Sequence, residues 1–231
     1  MRDSLASRFA VSTTRVPLGG GAVDLSHPSS FDDLISEADY VRDERLPYWA
    51  DLWPAARVLA ERVRRESGAG CRLLELGCGM GLVSTAAALA GFDVTATDYY
   101  PDACEFARSN AWQNAHRAIE TRHLDWRALP GDLGTWDVVV ASDVLYETPH
   151  AELVAAALAR TIARNGRAIV ADPGRPALDA FIASCEARGL SVAAPERVPW
   201  SEGEQNLVIQ LLVITHHHPL VAALRAAAFD R

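Results

Sequence analysis

One stretch in the first half of the chain restricts the fold before anything else is read. Arg72-Leu73-Leu74-Glu75-Leu76 is an apolar run broken by a single acid, the pattern of a strand buried in a parallel sheet. Gly77-Cys78-Gly79-Met80-Gly81 follows, then a run of small residues from Leu82 to Ala90 suited to a helix packed closely on that sheet. Glycine accepts positive φ and lacks a Cβ, so glycines at alternate positions let backbone approach a ligand. A strand, a glycine turn and a helix N-terminus together form a site for a nucleotide-containing cofactor. The dinucleotide fingerprint G-x-G-x-x-G is met at Gly77 and Gly79, but its third place holds Leu82 and the glycine falls at Gly81. That misplacement argues against a hydride-transferring dehydrogenase.

The next two strand ends also carry acids. Asp93 to Asp98 reads as a strand whose terminal Asp98 is placed to accept from both ribose hydroxyls, with Tyr99 against an adenine face. Pro101 suits the first turn of a helix running to Asn114. Leu124-Asp125-Trp126 closes a third strand, where Asp125 is placed to accept from an adenine amino group and Trp126 adds to the wall. Each acid alone is an ordinary surface charge; three in order around a glycine turn mark a cofactor site. The E-x-G-x-G-x-G arrangement of Glu75, Gly77, Gly79 and Gly81 resembles motif I of the class I S-adenosylmethionine-dependent methyltransferases. The resemblance implies S-adenosylmethionine as the cofactor.

Length and charge narrow the setting. With 231 residues, 49% of them hydrophobic, the chain can bury one sizeable core, predicted as a domain over 46–231 behind an N-terminal extension over 1–45. A net charge of -8 without a basic block disfavours nucleic acid, and no apolar run is long enough for a membrane helix. The four cysteines form no C-x-x-C pair, which predicts reduced thiols in a cytoplasmic setting. Cys78 reads as a space-filler in the turn. Every residue of the Lys/Arg class is arginine, a bias of GC-rich, bacterial coding. Residues 1–15 carry Arg2, Arg8 and Arg15 with only Asp3 as an acid, a composition shared by organelle transit peptides and surface strands; the strand reading is preferred.

Phe9 to Leu25 reads as two short strands around Gly19-Gly20-Gly21. Ser30 to Asp33 has capping-box spacing and predicts a helix to about Tyr40. The aromatic stretch Leu46 to Pro54 is either a hydrophobic plug or a wall placing Tyr48, Trp49 or Trp53 over the acceptor channel or over a cofactor's sulfonium, whose positive charge an indole face favours. Helices are predicted over 54–66, 152–164 (stopped by Asn165-Gly166) and 177–188, with strands over 137–142 and 167–171. Strands over 191–198 and 206–215 form a closing hairpin. The sum is an α/β fold: a doubly wound, seven-stranded, mostly parallel sheet with an antiparallel C-terminal hairpin. His216-His217-His218 is not read as a metal site, because consecutive side chains diverge from extended backbone. Leu220 to Phe229 is predicted as a terminal helix.

The strand over 137–142 delivers Ser142-Asp143-Val144-Leu145-Tyr146-Glu147 to the ligand edge, with Ser142 beside the cofactor's reactive end. Methyl transfer is an in-line displacement, so catalysis is largely positioning and exclusion of water. Asp143 is the candidate acceptor that orients the hydrogens of a nitrogen nucleophile, and Tyr146 walls the channel or shares that bond. A lysine acceptor must first lose its proton, at roughly 4–5 kcal/mol for pH 7. A neighbouring carboxylate raises that cost and aromatic desolvation lowers it, so Asp143 is an orienter and no titrating base is identified.

Pro47-Tyr48-Trp49 through Leu52-Trp53-Pro54, the glycine turn, Asp98, Asp143-x-x-Tyr146 and Asp172-Pro173-Gly174-Arg175 together resemble the seven-β-strand protein lysine methyltransferases. The likeness is greatest to the branch that includes the electron-transfer-flavoprotein β-subunit lysine methyltransferase, and spans about Leu46 to Arg175. It implies a Rossmann-like methyltransferase fold, a protein substrate presenting a lysine, and Asp143 and Tyr146 at the substrate entrance. Small-molecule N- or O-methyl transfer and a non-catalytic cofactor-binding module are the alternatives.

Overall fold

The computed structural model of the protein describes residues 5–29, 34 and 47–217. The chain begins with an antiparallel hairpin, β1 (Val11–Leu18) and β2 (Gly21–Pro28), turning at Gly19 and Gly20, both in the left-handed region. A 3-10 turn at Tyr48–Ala50 leads to α1 (Pro54–Arg64), opened by proline at its first position. Then come β3 (Arg72–Leu76), α2 (Leu82–Ala90), β4 (Asp93–Asp98), α3 (Pro101–Ala115) and β5 (Glu120–His123). After a 3-10 turn at Trp126–Ala128 the chain forms β6 (Trp136–Ser142), α4 (His150–Thr161), β7 (Ile162–Asp172) and α5 (Leu178–Ala187). It closes with β8 (Leu190–Val192), β9 (Glu196–Glu202) and β10 (Gln205–His216).

The sheet order is β5-β4-β3-β6-β7-β10-β8, with β9 also paired to β10. The strands from β5 to β7 are parallel and β10 is antiparallel to its neighbours. This is the doubly wound architecture expected from the sequence. β3 shows why it needs an apolar core on each side: Leu73 packs into one cluster with residues of α1, α2 and α3, Leu74 and Leu76 into the other with residues of α4 and α5. The order reverses between β3 and β6, and ligands of such sheets bind beyond that point.

Three local expectations change. The predicted strand over 191–198 is two short strands, β8 and β9, that occupy one edge position along β10. Pro195 lies between them and has no N–H for a ladder. The helix expected to reach Arg164 stops at Thr161, and Asn165-Gly166 sits inside β7. There the register with β6 jumps from Trp136–Ile162 to Val138–Arg167, and a Cβ on Gly166 would lie 2.8 Å from the carbonyl oxygens of Trp136 and Asp137. Its glycine serves a bulge instead of a helix end. The third parallel strand ends at His123, so Asp125 caps the turn after it.

The hairpin is tied to the sheet domain by side chains. Asn110 and Asn114, one turn apart on α3, pair with the backbone of Ser26 and Asp24, two residues apart on β2. Helical i,i+4 spacing matches the period-2 spacing of a strand, so two amides substitute for a neighbouring strand. Leu5, Val16, Leu18, Val23 and Leu25 join the core cluster of α1 to α3. His216 and His217 turn to separate partners, the Ile162 carbonyl at 3.0 Å and the Ser191 hydroxyl at 2.7 Å. Cys78, Cys104 and Cys185 are buried free thiols, and Cys71 is a half-buried one. The helices predicted from Ser30–Asp33 to about Tyr40, Leu34 apart, and over 220–229, with His218, lie outside the described residues.

Candidate active site

A cavity of about 530 Å³ opens beyond the carboxyl ends of β3, β4 and β6. That size suits a cofactor-sized ligand. Gly77 and Gly79 line it with φ of 71° and 50°, and a Cβ on Gly79 would come 2.9 Å from the Trp49 carbonyl oxygen. A side chain would therefore clash as well as strain the turn. Gly81 does something else. It is the N-cap of α2, and a Cβ there would meet Ala107 Cα and Cβ at 2.5 and 2.6 Å. Its bare backbone lets α2 and α3 touch; Gly81 does not line the cavity.

Three carboxyls converge on the cavity from three strands. Glu75 is buried beneath the turn and accepts a bond from the Ser84 hydroxyl. Burial pushes its pKa up to about 8, with the Ser84 bonds opposing and nearby Asp98 adding a smaller rise. Asp98 accepts from the Gly79 and Tyr100 amides, each at 2.9 Å, so one side chain fixes the glycine turn to the tip of β4. Burial raises its pKa too, against the pull of those backbone donors. Asp143 follows β6 with φ of 58°, a left-handed conformation that aspartate tolerates better than most residues.

Asp143 is ion-paired. Arg175 places Nε and Nη2 each 2.5 Å from its Oδ1. Burial raises the Asp143 pKa, Arg175 opposes this and Asp172 reinforces it. The Asp172-Pro173-Gly174-Arg175 turn sets the pair: Asp172 Oδ1 accepts from the amides of Gly174 and Arg175 at 2.7 Å. The guanidinium carbon then lies 5.7 Å from the centre of the Trp53 ring.

Aromatic side chains form the remaining wall and divide the two readings of the 46–54 stretch. Trp49 is buried and packs on Phe106 with ring centres 5.7 Å apart, mostly as a plug. Tyr48 and Trp53 form the wall: Trp53 Nε1 donates to the Tyr48 carbonyl at 2.9 Å, and Tyr48 meets Tyr146 edge-on at 5.6 Å. Tyr146 in turn rests edge-on upon His150 at 4.7 Å, and His150 upon Trp126 at 5.4 Å. His150 Nδ1 lies 2.8 Å from the Val144 carbonyl, which can only accept, so that nitrogen carries the proton. Tyr99 lines the cavity beneath the Arg127 guanidinium, 5.3 Å from its ring centre. Asp125 also lines it, but both carboxylate oxygens are forked by Arg127, so an adenine amino group would share an occupied acceptor. Ser142 completes the floor.

Of the residues singled out from the sequence, Asp143, Tyr146, Trp53, Glu75, Gly77, Gly79, Asp98, Tyr99, Asp125, Trp126 and Ser142 meet in this one cavity. His150 and Arg127 were missed. His150 opens α4, and the turn before it, which follows no periodic pattern, brings its ring against Tyr146.

The sequence profile of the lysine methyltransferase family matches residues 47–185, more than half of the chain and the part that builds the cavity. The chain belongs to the lysine methyltransferase family. It is 33% identical over 136 residues to the electron transfer flavoprotein beta subunit lysine methyltransferase of Xenopus laevis, covering 56% of this chain and 53% of that protein. It is 36% identical over 112 residues to the protein N-lysine methyltransferase METTL21A of Danio rerio, covering 45% and 50%. The chain thus spans about half the length of the curated relatives it matches. Among solved structures, magnesium protoporphyrin IX methyltransferase (ChlM) from Synechocystis PCC 6803 with bound SAM superposes with a TM-score of 0.54 at 20% identity, over 79% of this chain and 94% of that one. At that identity the likeness is one of fold alone, a Rossmann-like sheet.

Proposed function

We propose that the chain methylates the ε-amine of a lysine on a protein, using S-adenosylmethionine. The observation that carries the acceptor class is the cavity mouth. Tyr48 and Tyr146 are 38% and 43% exposed, beside a buried Asp143. An aromatic slot open to solvent with a carboxylate at its base suits a long side chain offered from another molecule's surface. A small metabolite is better served by a closed chamber. The family match and relatives named as protein lysine methyltransferases support the same reading.

The cavity fits the cofactor. Glu75 and Asp98, when ionised, suit a ligand carrying net positive charge, and Trp53 and Tyr146 offer π faces to a sulfonium. Asp98 would hold the ribose, Tyr99, Asp125 and Trp126 the adenine, and the backbone of Gly77 and Gly79 with Glu75 the amino-acid end. When bound, the cofactor supplies an electrophilic methyl whose bond to sulfur breaks as the nitrogen–carbon bond forms. The chain's own part is to orient the amine through Asp143, to exclude water with Tyr48, Trp53 and Tyr146, and to let the amine's proton escape to solvent.

The test is incubation with methyl-labelled S-adenosylmethionine and host lysate, followed by mass spectrometry. The host's electron-transfer-flavoprotein β subunit is the first purified acceptor to try. The chain contains no lysine, so a lysine-labelled band is another protein. Label confined to small metabolites or RNA would overturn the acceptor class.

A further inference from the structure

Two demands conflict at Asp143. A carboxylate within hydrogen-bonding reach can aim the hydrogens of an amine, yet it also favours the ammonium, which has no lone pair to react. A lone carboxylate about 4 Å away, at the effective dielectric of a protein site, would raise the amine pKa by roughly two to three units.

We propose that Arg175 is the positioning residue that resolves this conflict: by pairing with Asp143 it lets the carboxylate orient a lysine amine without holding it as an ammonium. The inference rests on the lysine acceptor proposed above. Its support is geometric. Arg175 places two nitrogens at 2.5 Å, both on Oδ1, so the pair is neutral while Asp143 remains a directional acceptor. Arg175 is itself held, by the turn that Asp172 closes and by the face of Trp53.

The surrounding charges leave that task to Arg175. Asp172 lies at the adjacent strand tip, Tyr146 and Glu147 in the loop between β6 and α4, and His150 at the start of α4. Tyr48 and Asp51 face the cavity from the 3-10 turn, and Glu75 and Asp98 from its far side. The carboxyls all favour an ammonium when ionised. Arg127, the other arginine among the described lining residues, is forked to Asp125. Without Arg175, the formal charges left facing the amine, the Asp125–Arg127 pair aside, would be carboxylates that favour its ammonium form.

The test uses a peptide centred on the lysine that the wild-type protein labels, carrying carbon-13 at Cε, bound together with S-adenosylhomocysteine so that no turnover occurs. Because the chain lacks lysine, the resonance reports the peptide alone. In Arg175→Met the pKa of the bound lysine should rise by about one to two units, and the peptide should bind more tightly at neutral pH. In Arg175→Lys both should return toward wild type. Single-turnover methylation by Arg175→Met should fall about 10- to 100-fold at pH 7 and recover as the pH approaches 10. An unchanged lysine pKa in Arg175→Met, or a rate loss equal at every pH, would overturn the inference. Methylation by the wild-type protein of a small amine or hydroxyl and of no peptide would overturn the acceptor reading and, with it, this role of Arg175.

Discussion

Replacing Glu75 by glutamine isolates the energetic cost of a carboxyl placed beneath the cofactor turn. Glu75 is fully enclosed, and burial moves its pKa from 4.5 to about 8 in the folded protein. Below pH 4.5 it is protonated whether folded or unfolded and costs nothing. As the pH rises toward 8 the unfolded chain ionises it freely while the folded chain does not, so stability falls across that window. A shift of about 3.5 units corresponds to roughly 5 kcal/mol at full development, an upper figure for one residue. Glutamine has nearly the same shape, keeps an oxygen for the Ser84 hydroxyl and does not titrate. Urea unfolding of both proteins at about pH 5 and pH 8.5 should give nearly equal stabilities at the lower value. At the higher value the variant should be more stable by several kcal/mol. Asp98 and Asp143 also titrate, but in both proteins, so the difference belongs to Glu75. Parallel pH dependence in wild type and variant would refute the reasoning.

Binding a cationic cofactor beside Glu75 should expel its proton, so calorimetric heats near pH 7 should vary with the buffer's ionisation enthalpy in wild type and much less in Glu75→Gln. Asp98→Ala should weaken S-adenosylhomocysteine binding by about 1–3 kcal/mol, measured by calorimetry, through lost hydrogen bonds to the charged acceptor. Asp143→Ala should leave that binding nearly intact and reduce methyl transfer at least tenfold; equal losses in both would remove its orienting role. Gly81→Ala should cost about 2–5 kcal/mol in thermal or urea unfolding, because φ of 84° and the approach of Ala107 act together. Gly70→Ala, with φ of 77° but open space, should cost only about 1 kcal/mol.

Much of this was readable in the sequence because it is written in short-range patterns. Glu75 to Gly81, Asp98 and Asp143 each stand at the end of an apolar strand, and the sheet's topology gathers strand ends at one edge. What could not be read depended on contacts between distant segments. Gly81 follows the same alternation as Gly77 and Gly79, and only the approach of α3 gives it a separate duty. Asn165-Gly166 has the composition of a helix stop, but the bulge that uses it is set by pairing with Trp136. Arg175 stood in a recognised turn with no assigned partner, because its partner lies 32 positions earlier on a different strand. The Asp125–Arg127 fork is local, two residues apart, yet alternation and spacing give no sign of it because it depends on the 3-10 turn at Trp126–Ala128.

The buried amide of Asn110 serves two masters. Its oxygen and nitrogen grip the backbone of Ser26, and the same nitrogen also donates to the carbonyl of Met80 inside the glycine turn, at 2.9 Å. Peeling the hairpin away would release a rotamer that the turn relies on and strand the Met80 oxygen in a dry interior. The two should therefore exchange their amide hydrogens as a single cooperative unit. Changes to the hairpin, whose described residues do not line the cavity, then become changes to the rigidity of the glycine turn.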